Sequence, residues 1–444
     1  MKIGYAVTDI TPPIGVDIAG YFSIRTSVDV LDNLYANAVV IESSGKRIAL
    51  VSCDLLGMGQ NYVDKIKNIV TEKTGIEKSK ILIHTTHTHT GPKAVDLADE
   101  SDKKISGDTD LEYLNYMVRQ TASAIIMADL HKKEAIYGIG AGYEDTVAFI
   151  RRYKMKDGTV MTNPGVGNPN VIEPVGDIDP CVDLMNFKYV DGSGEILFVS
   201  YSLHADIVGG CKFSAGYPGA VRRKVEKAIP GCKVIYFTGA QGDINHIDVM
   251  EKNNTSKGYD YACKVGNILA GEVIKAYENI VYYEDCEVDS LIIKAKVPLR
   301  QFSQSDYDWA VNTIDDFKKG IFQQNNMNKT ADIARAIRIR NSFKSGKWME
   351  LDVSLFKIGN TGIVGFPGEP FIGYKKKIVQ DSGSENTWVL CLTNGSSGYL
   401  PVSEAYFEGG YETSNSPFTP ELEKILVNVA LDGLKVLFEK DEDS

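Results

Sequence analysis

The sequence predicts an α/β fold: one large domain in which a mixed β-sheet is flanked by helices. Two observations carry this. Apolar, β-branched runs alternate with helix-period segments along the whole chain. Among them, Lys156-Asp-Gly158 and Asp191-Gly-Ser-Gly194 have the composition of tight hairpin turns. Strand–helix alternation favours parallel neighbours and hairpins require antiparallel ones, so the sheet is expected to be mixed.

Residues 36–42 and 47–53 are apolar runs around Ser43-Ser-Gly45 and read as a hairpin. A helix is expected over 61–73, where Val63, Ile66, Ile69 and Val70 share a face, and another over 111–132, with Leu114, Met117 and Val118 on one stripe. Residues 80–84, 234–237 and 361–366 read as strands, and the segment from Glu195 ends as a buried strand at His204. Pro218 suits the first turn of a helix over 218–229. Further helices are expected at 257–278, 305–318, 329–343 and 419–439. No linker, repeat or low-complexity run interrupts the chain before the acidic tail 439–444. Residues 1–444 are therefore read as one catalytic domain, with a helical insertion within 285–350.

The 444 residues carry 48 Lys and Arg against 59 Asp and Glu, a net charge of −11, so clustered cations for a nucleic-acid backbone are not to be expected. Seven cysteines, at 53, 181, 211, 232, 263, 286 and 391, are odd in number and form no Cys-x-x-Cys, which favours reduced thiols. The N-terminus lacks a signal-peptide apolar core, and no apolar stretch is long enough to span a bilayer. A cytoplasmic protein without a transmembrane segment is expected; the oligomeric state is left open.

Chemistry concentrates in four places. Thr86-His87-Thr88-His89 follows an apolar strand, where functional residues of α/β sheets commonly sit. In an extended chain its two imidazoles would share a face about 6–7 Å apart, able to address one metal or one substrate; ordinary surface histidines are the alternative. His204 ends its strand, as a ligand or a core residue. Glu369 follows Pro367-Gly368 and is expected at the start of the next helix, as a functional carboxylate or one complementing the helix dipole. The loop Gly239-Ala-Gln-Gly-Asp243-Ile-Asn245 could bind an oxyanion or position a substrate, or be merely a tight strand exit. Gly138-Ile-Gly-Ala-Gly142 lacks the third glycine and following helix of a dinucleotide site, and the chain has no P-loop, Gly-x-Ser-x-Gly elbow or His-Glu-x-x-His.

These stations, in this order, resemble the neutral/alkaline (non-lysosomal) ceramidase family. The likeness runs from Val7-Thr-Asp-Ile-Thr-Pro-Pro13 through Thr86-His-Thr-His-Thr-Gly-Pro92, His204, Ser214-Ala-Gly-Tyr-Pro-Gly219 and Gly242-Asp243. It closes with Phe366-Pro-Gly-Glu-Pro370, Gly398-Tyr399 and Tyr411-Glu412. The resemblance implies one zinc ion per chain, held by His87, His204, Glu369 and Tyr399, and a water activated by that zinc for attack on an acyl carbon. It implies His89 as proton shuttle or oxyanion partner, Tyr411 on the substrate carbonyl, and Arg151 or Arg152 on the substrate. Asp243 and Asn245 join the catalytic set through their loop.

Three departures stand out. The family's loop reads Gly-Asp-x-Ser, whereas this chain has Asn245, which excludes a serine nucleophile there. Gly216 stands where relatives carry aspartate, and the family's C-terminal accessory β-domain is expected to be absent. The expectation is a zinc-dependent hydrolase cleaving an amide C–N bond in a small-molecule or lipid-like substrate, with ceramide and sphingolipid metabolism the family's example. The alternatives are a zinc hydrolase for a small polar ester, amide, lactone or sugar-derived compound, and a non-catalytic binding protein on the same fold.

Overall fold

The computed structural model describes residues 1–95, 103, 107–251, 256–284, 286–322, 327–343, 345–382 and 386–439. Its largest element is a nine-stranded mixed sheet. In chain order the strands are β1 (Lys2–Asp9), β2 (Tyr35–Ser43), β3 (Lys46–Cys53), β4 (Ile81–Thr85), β5 (Lys133–Tyr143), β6 (Cys181–Tyr189), β7 (Glu195–Tyr201), β8 (Cys232–Thr238) and β9 (Val281–Tyr283). The spatial order is β8-β7-β6-β5-β1-β2-β3-β4, with β9 also on β5. The β3–β4 and β7–β8 pairs are parallel, and the pairs of β1 with β2 and of β6 with β7 antiparallel, as the mixture of crossovers and hairpins requires.

A second, four-stranded sheet is formed by β10 (Val288–Pro298), β11 (Trp348–Ile358), β12 (Thr361–Gly365) and β13 (Asn386–Leu390), in that order. Strand alternation shows how the layers stack. In β2, Ala36, Ala38 and Val40 join the core under the helices α1 (Gln60–Thr74) and α2 (Leu111–Leu130). Val39 and Ile41 point the other way, into a core shared with Phe356, Ile363 and Trp388 of the second sheet. In β7, Leu197 and Val199 face the core that includes α3 (Gly216–Ala228) and α4 (Tyr259–Tyr277), while Ile196 and Phe198 face the second sheet. Burial on both faces explains why the strands read as continuous apolar runs rather than alternating ones. Helices thus flank the large sheet on one side only; its other face packs on the second sheet, a layer the sequence does not announce.

The expected insertion is narrower than 285–350. Its ends are strands, because β10 and β11 pair antiparallel from Val288–Ile358 to Pro298–Trp348. Between them stand α5 (Gln304–Lys318), opened by a Ser303–Asp306 capping box, and α6 (Met327–Ser342). They share a small apolar cluster of Ala310, Ile314, Ile333, Ala336 and Ile339, against which Phe22 packs. α7 (Ile372–Asp381) lies between β12 and β13, and α8 (Leu422–Glu439) follows β13. All seven cysteines are free. Among the described residues no helix is long and apolar enough to cross a membrane.

The end strands β4 and β8 of the large sheet meet. Thr238 N–H donates to His84 Nε2 at 3.0 Å, and the Thr238 hydroxyl donates to the Thr86 carbonyl at 3.1 Å. His84 Nδ1 therefore carries the proton and donates to Ser52 Oγ at 2.9 Å, while Ser52 donates to the Tyr236 carbonyl at 2.7 Å. Burial lowers the His84 pKa to about 3, keeping this neutral tautomer. The chain after β13 is laid across the seam: Cys391 N–H donates to Thr238 O and Asn394 N–H to Ile83 O.

A buried ion pair fastens the same region to α3. Arg222 donates from Nη1 and Nη2 to the two carboxylate oxygens of Asp54, at 2.9 and 2.5 Å, and Asp54 also accepts the Tyr35 N–H at 2.9 Å. Removing one partner strands the other charge away from water. Asp54→Ala is expected to cost about 3–5 kcal/mol in urea unfolding; a loss below about 1 kcal/mol, the ceiling for an exposed pair, would show the pair to be dispensable.

Candidate metal centre

The strand ends deliver the site. His87 and His89 follow β4, His204 follows β7, the 239–245 loop follows β8, Glu369 follows β12 and Tyr399 follows β13. Convergence at the C-terminal ends of strands is the usual geometry of functional sites in α/β sheets.

The Thr86–His89 segment is not extended, contrary to expectation. β4 stops at Thr85, and His87 takes φ 63°, the left-handed region, where a non-glycine residue costs roughly 1–3 kcal/mol. Its threonines are fasteners: the Thr88 and Thr90 hydroxyls both donate to the Ser214 carbonyl, at 2.7 and 3.0 Å. The bend, rather than a strand's alternation, brings the two rings together. His87 and His89 Nε2 are 3.3 Å apart, and each lies 3.1 Å from His204 Nε2.

Three imidazole nitrogens at such separations suit a cation. Ligands about 2.0–2.1 Å from a common tetrahedral centre stand about 3.3–3.4 Å from one another. The protonation pattern agrees. His87 Nδ1 donates to the Leu56 carbonyl at 2.6 Å, which leaves Nε2 as a bare lone pair facing the other two rings. Burial lowers the His89 pKa to about 3, assisted by His87, and drives that of His204 well below the ordinary value, so both rings are neutral. Glu369 Oε2 lies 3.4 Å from His87 Nε2 and 3.9 Å from His204 Nδ1, and is buried without a hydrogen-bond partner. An orphaned carboxylate oxygen beside converging lone pairs is the donor set a divalent ion completes.

Glu369 is not in the first turn of a helix. It forms a two-residue parallel bridge with Tyr399, and α7 begins only at Ile372. The bridge ties the carboxylate to the tyrosine, whose phenol burial holds well above the ordinary pKa against the pull of Arg151. The Tyr411 ring stands edge-on to Tyr399 at 5.7 Å, its pKa pushed up to about 12 by burial. The two arginines diverge. Arg151 is buried over the Tyr399 ring at 5.2 Å and paired with Glu412 at 2.7 Å, whereas Arg152 pairs with Glu408 at 2.9 Å and stacks over Phe371. Of the two, Arg151 belongs to the site.

Three amides of the 239–245 loop are engaged within the fold. Gly239, Gly242 and Ile244 N–H donate to Tyr201, Pro370 and Gln241 carbonyls. A Cβ at Gly242 would lie 2.4 Å from Glu369 O, so this glycine permits the close packing that seats Glu369. Asp243 accepts the Ile372 N–H at 2.8 Å, capping α7 from outside. Asn245 is engaged at both ends, donating to Asn163 at 2.8 Å and accepting from Ile247 N–H at 3.0 Å. Both side chains are held by hydrogen bonds within the fold. The buried Gln241 amide has no hydrogen-bond partner at either end.

Several neighbours carry no sequence signal. Asp206 accepts from His246 Nδ1 at 3.0 Å, and the Tyr21 ring lies 5.6 Å from that of His89. Gly20 has φ 106°, and a Cβ there would come within 2.8 Å of His89 Nδ1. Arg25 donates to the His89 and Ala19 carbonyls, clamping this loop over the site. Only the spacing of Asp206 from His204, and of His246 from Asn245, could have hinted at them.

Burial raises the Asp243 pKa to about 6 from 3.8. Between those values the folded state holds a proton that the unfolded chain has released, so stability falls as pH rises through this window and levels off above it. Asp243→Asn keeps an acceptor oxygen without the charge. It is expected to flatten stability against pH between about 4 and 6 in urea titrations; an unchanged slope would locate the dependence elsewhere.

No protein-family model matches the chain, and no curated protein sequence does. Solved structures do. The neutral ceramidase from Pseudomonas aeruginosa superposes with a TM-score of 0.74 at 16% identity, over 99% of this chain and 74% of that one. A ceramidase complexed with C2 gives 0.73 at 15%, over 99% and 75%. The chain has a neutral-ceramidase-like fold.

Proposed function

We propose that the protein is a zinc-dependent hydrolase that cleaves an amide C–N bond. The observation that carries this is the approach of His87 and His204 Nε2 to 3.1 Å beside the orphaned Glu369 carboxylate, with His89 Nε2 at hand for a proton, on a fold shared with ceramidases. His87, His204, Glu369 and Tyr399 would hold the ion. When bound, zinc supplies Lewis acidity toward an acyl oxygen and lowers the pKa of a water toward about 7.

The remaining side chains divide the other work. His87 is the fixed partner, its tautomer set by the Leu56 carbonyl. His89 is kept neutral by burial, so its Nε2 can take a proton from the attacking water and return one to the departing nitrogen. Tyr411, protonated at ordinary pH, can donate to the substrate carbonyl oxygen. Arg151 positions Tyr399 through ring contact and is itself held by Glu412. Water adds across the amide: its oxygen joins the acyl carbon, the C–N bond breaks, and nitrogen leaves as an amine with the transferred proton.

A soluble short-chain ceramide tests the reading: zinc-loaded protein is expected to release fatty acid, and a chelated sample none. His204→Ala should lose both bound zinc and turnover. His89→Gln should retain zinc while kcat falls about 10²–10⁴-fold. Retained turnover in His204→Ala would refute its place as a ligand, and loss of zinc in His89→Gln would make His89 a ligand instead of a proton carrier.

A further inference from the structure

The segment between β10 and β11 brings cations to the tyrosine side of the site. Arg335 and Arg338 stand one turn apart on α6, and Arg300 follows β10. Arg338 Nε donates to the Asn415 carbonyl at 3.0 Å, and Arg300 Nη1 to the Thr413 carbonyl at 3.0 Å. Both carbonyls belong to the short helix Tyr411–Asn415, which carries Tyr411. Gly398, next to Tyr399, is equally near, because a Cβ there would lie 3.1 Å from Arg338 Nη2. A group held by Arg338 therefore borders both tyrosines.

Holding the carbonyls at the end of a helix is a structural use of arginine, but it occupies one N–H of each side chain and a guanidinium has five. Among the described residues neither Arg300 nor Arg338 pairs with a carboxylate, although both are partly buried. Arg151, Arg152 and Arg222 differ, for they pair with Glu412, Glu408 and Asp54. Asp306, which acts on Arg300 from farther off, already accepts the N–H and hydroxyl of Ser303 in its capping box. Burial holds the pKa of both guanidinium groups below the ordinary value, and Arg335 adds to this at Arg300. Three gathered arginines without an ion pair, in a chain of net charge −11, lack an anion. Arg338 Nη1 and Nη2 are not sealed in the interior, so they stay open to one. A free guanidinium edge matches the two oxygens of a carboxylate.

We propose that Arg338, supported by Arg300, binds a carboxylate of the substrate on the tyrosine side of the site, so that the preferred amide is an anionic one. Only the naming of the bound molecule as a substrate rests on the hydrolase reading above. Arg338 is then a specificity determinant contributed by the inserted helices.

The test uses the zinc-loaded full chain and two matched pairs of amides. N-octanoylglycine and its neutral counterpart N-octanoylglycinamide place the charge on the amine side. N-butylsuccinamate and N-butylsuccinamide place it on the acyl side. Release of octanoate or of butylamine is followed, and in at least one pair kcat/KM for the anion is expected to exceed that for the neutral amide about tenfold or more. Arg338→Gln should bring that ratio close to one, and Arg338→Lys should keep part of it. The ratio is taken within one protein, so partial misfolding cancels; a mere helix support would slow both amides alike and leave the ratio unchanged. An unchanged ratio in Arg338→Gln, or equal rates within both pairs, overturns the inference and leaves the hydrolase reading standing. If no amide is cleaved, calorimetry with the four compounds decides. Tighter binding of an anion, lost in Arg338→Gln, keeps the carboxylate site and counts against the hydrolase; equal binding within both pairs overturns the site as well.

Discussion

The meeting of β4 and β8 is the constraint on which the site depends. They are the end strands of the hydrogen-bonded path through the large sheet, yet His84 accepts the Thr238 N–H across the seam, and Ser52 links the same imidazole to Tyr236. Because β7 neighbours β8, the contact carries His87 and His89 to His204. The segment after β13 crosses the same seam and carries Tyr399, which pairs with Glu369. A neutral, fully buried histidine makes this join well, since it offers one donor and one acceptor on opposite sides of a rigid ring.

Around this junction, charges are paired, whereas the converging Nε2 atoms of His87, His89 and His204 are not. Asp54 with Arg222, Glu412 with Arg151 and Asp206 with His246 each balance one another. The three converging histidines and Glu369 Oε2 have no such closure within the protein. Native structures leave few buried polar groups unsatisfied, and this group of histidines could hold an added cation. The left-handed His87 fits this picture: backbone strain persists where the surroundings over-determine a functional geometry.

Tyr21 and Asp206 line a neighbouring cavity and also stand among the surroundings of the histidines. The loop from Asp17 to Thr26, clamped by Arg25 and opened by the left-handed Gly20, lays Tyr21 against His89 and Phe22 against the helical pair α5–α6. One covering segment thereby connects the inserted helices to the rim of the site.

The sequence by itself determined the α/β class, the mixed sheet, most helices to within a few residues, and the histidines and glutamate that meet. Those features are local: apolar periodicity, turn composition and the placement of polar residues just past apolar strands are written in neighbouring positions. It could not show the second sheet beneath the first, since a strand buried on both faces looks the same whichever layer covers it. Nor could it show that Asp243 bonds Ile372 and Asn245 bonds Asn163, that Arg151 and Arg152 part company, or that Asp206 and His246 meet. Each of these depends on a partner distant in sequence, at 129, 82 and 40 residues' separation for Asp243–Ile372, Asn245–Asn163 and His246–Asp206. Only the closing of the sheet, which brings distant strand ends to one point, decided which of these polar residues meet.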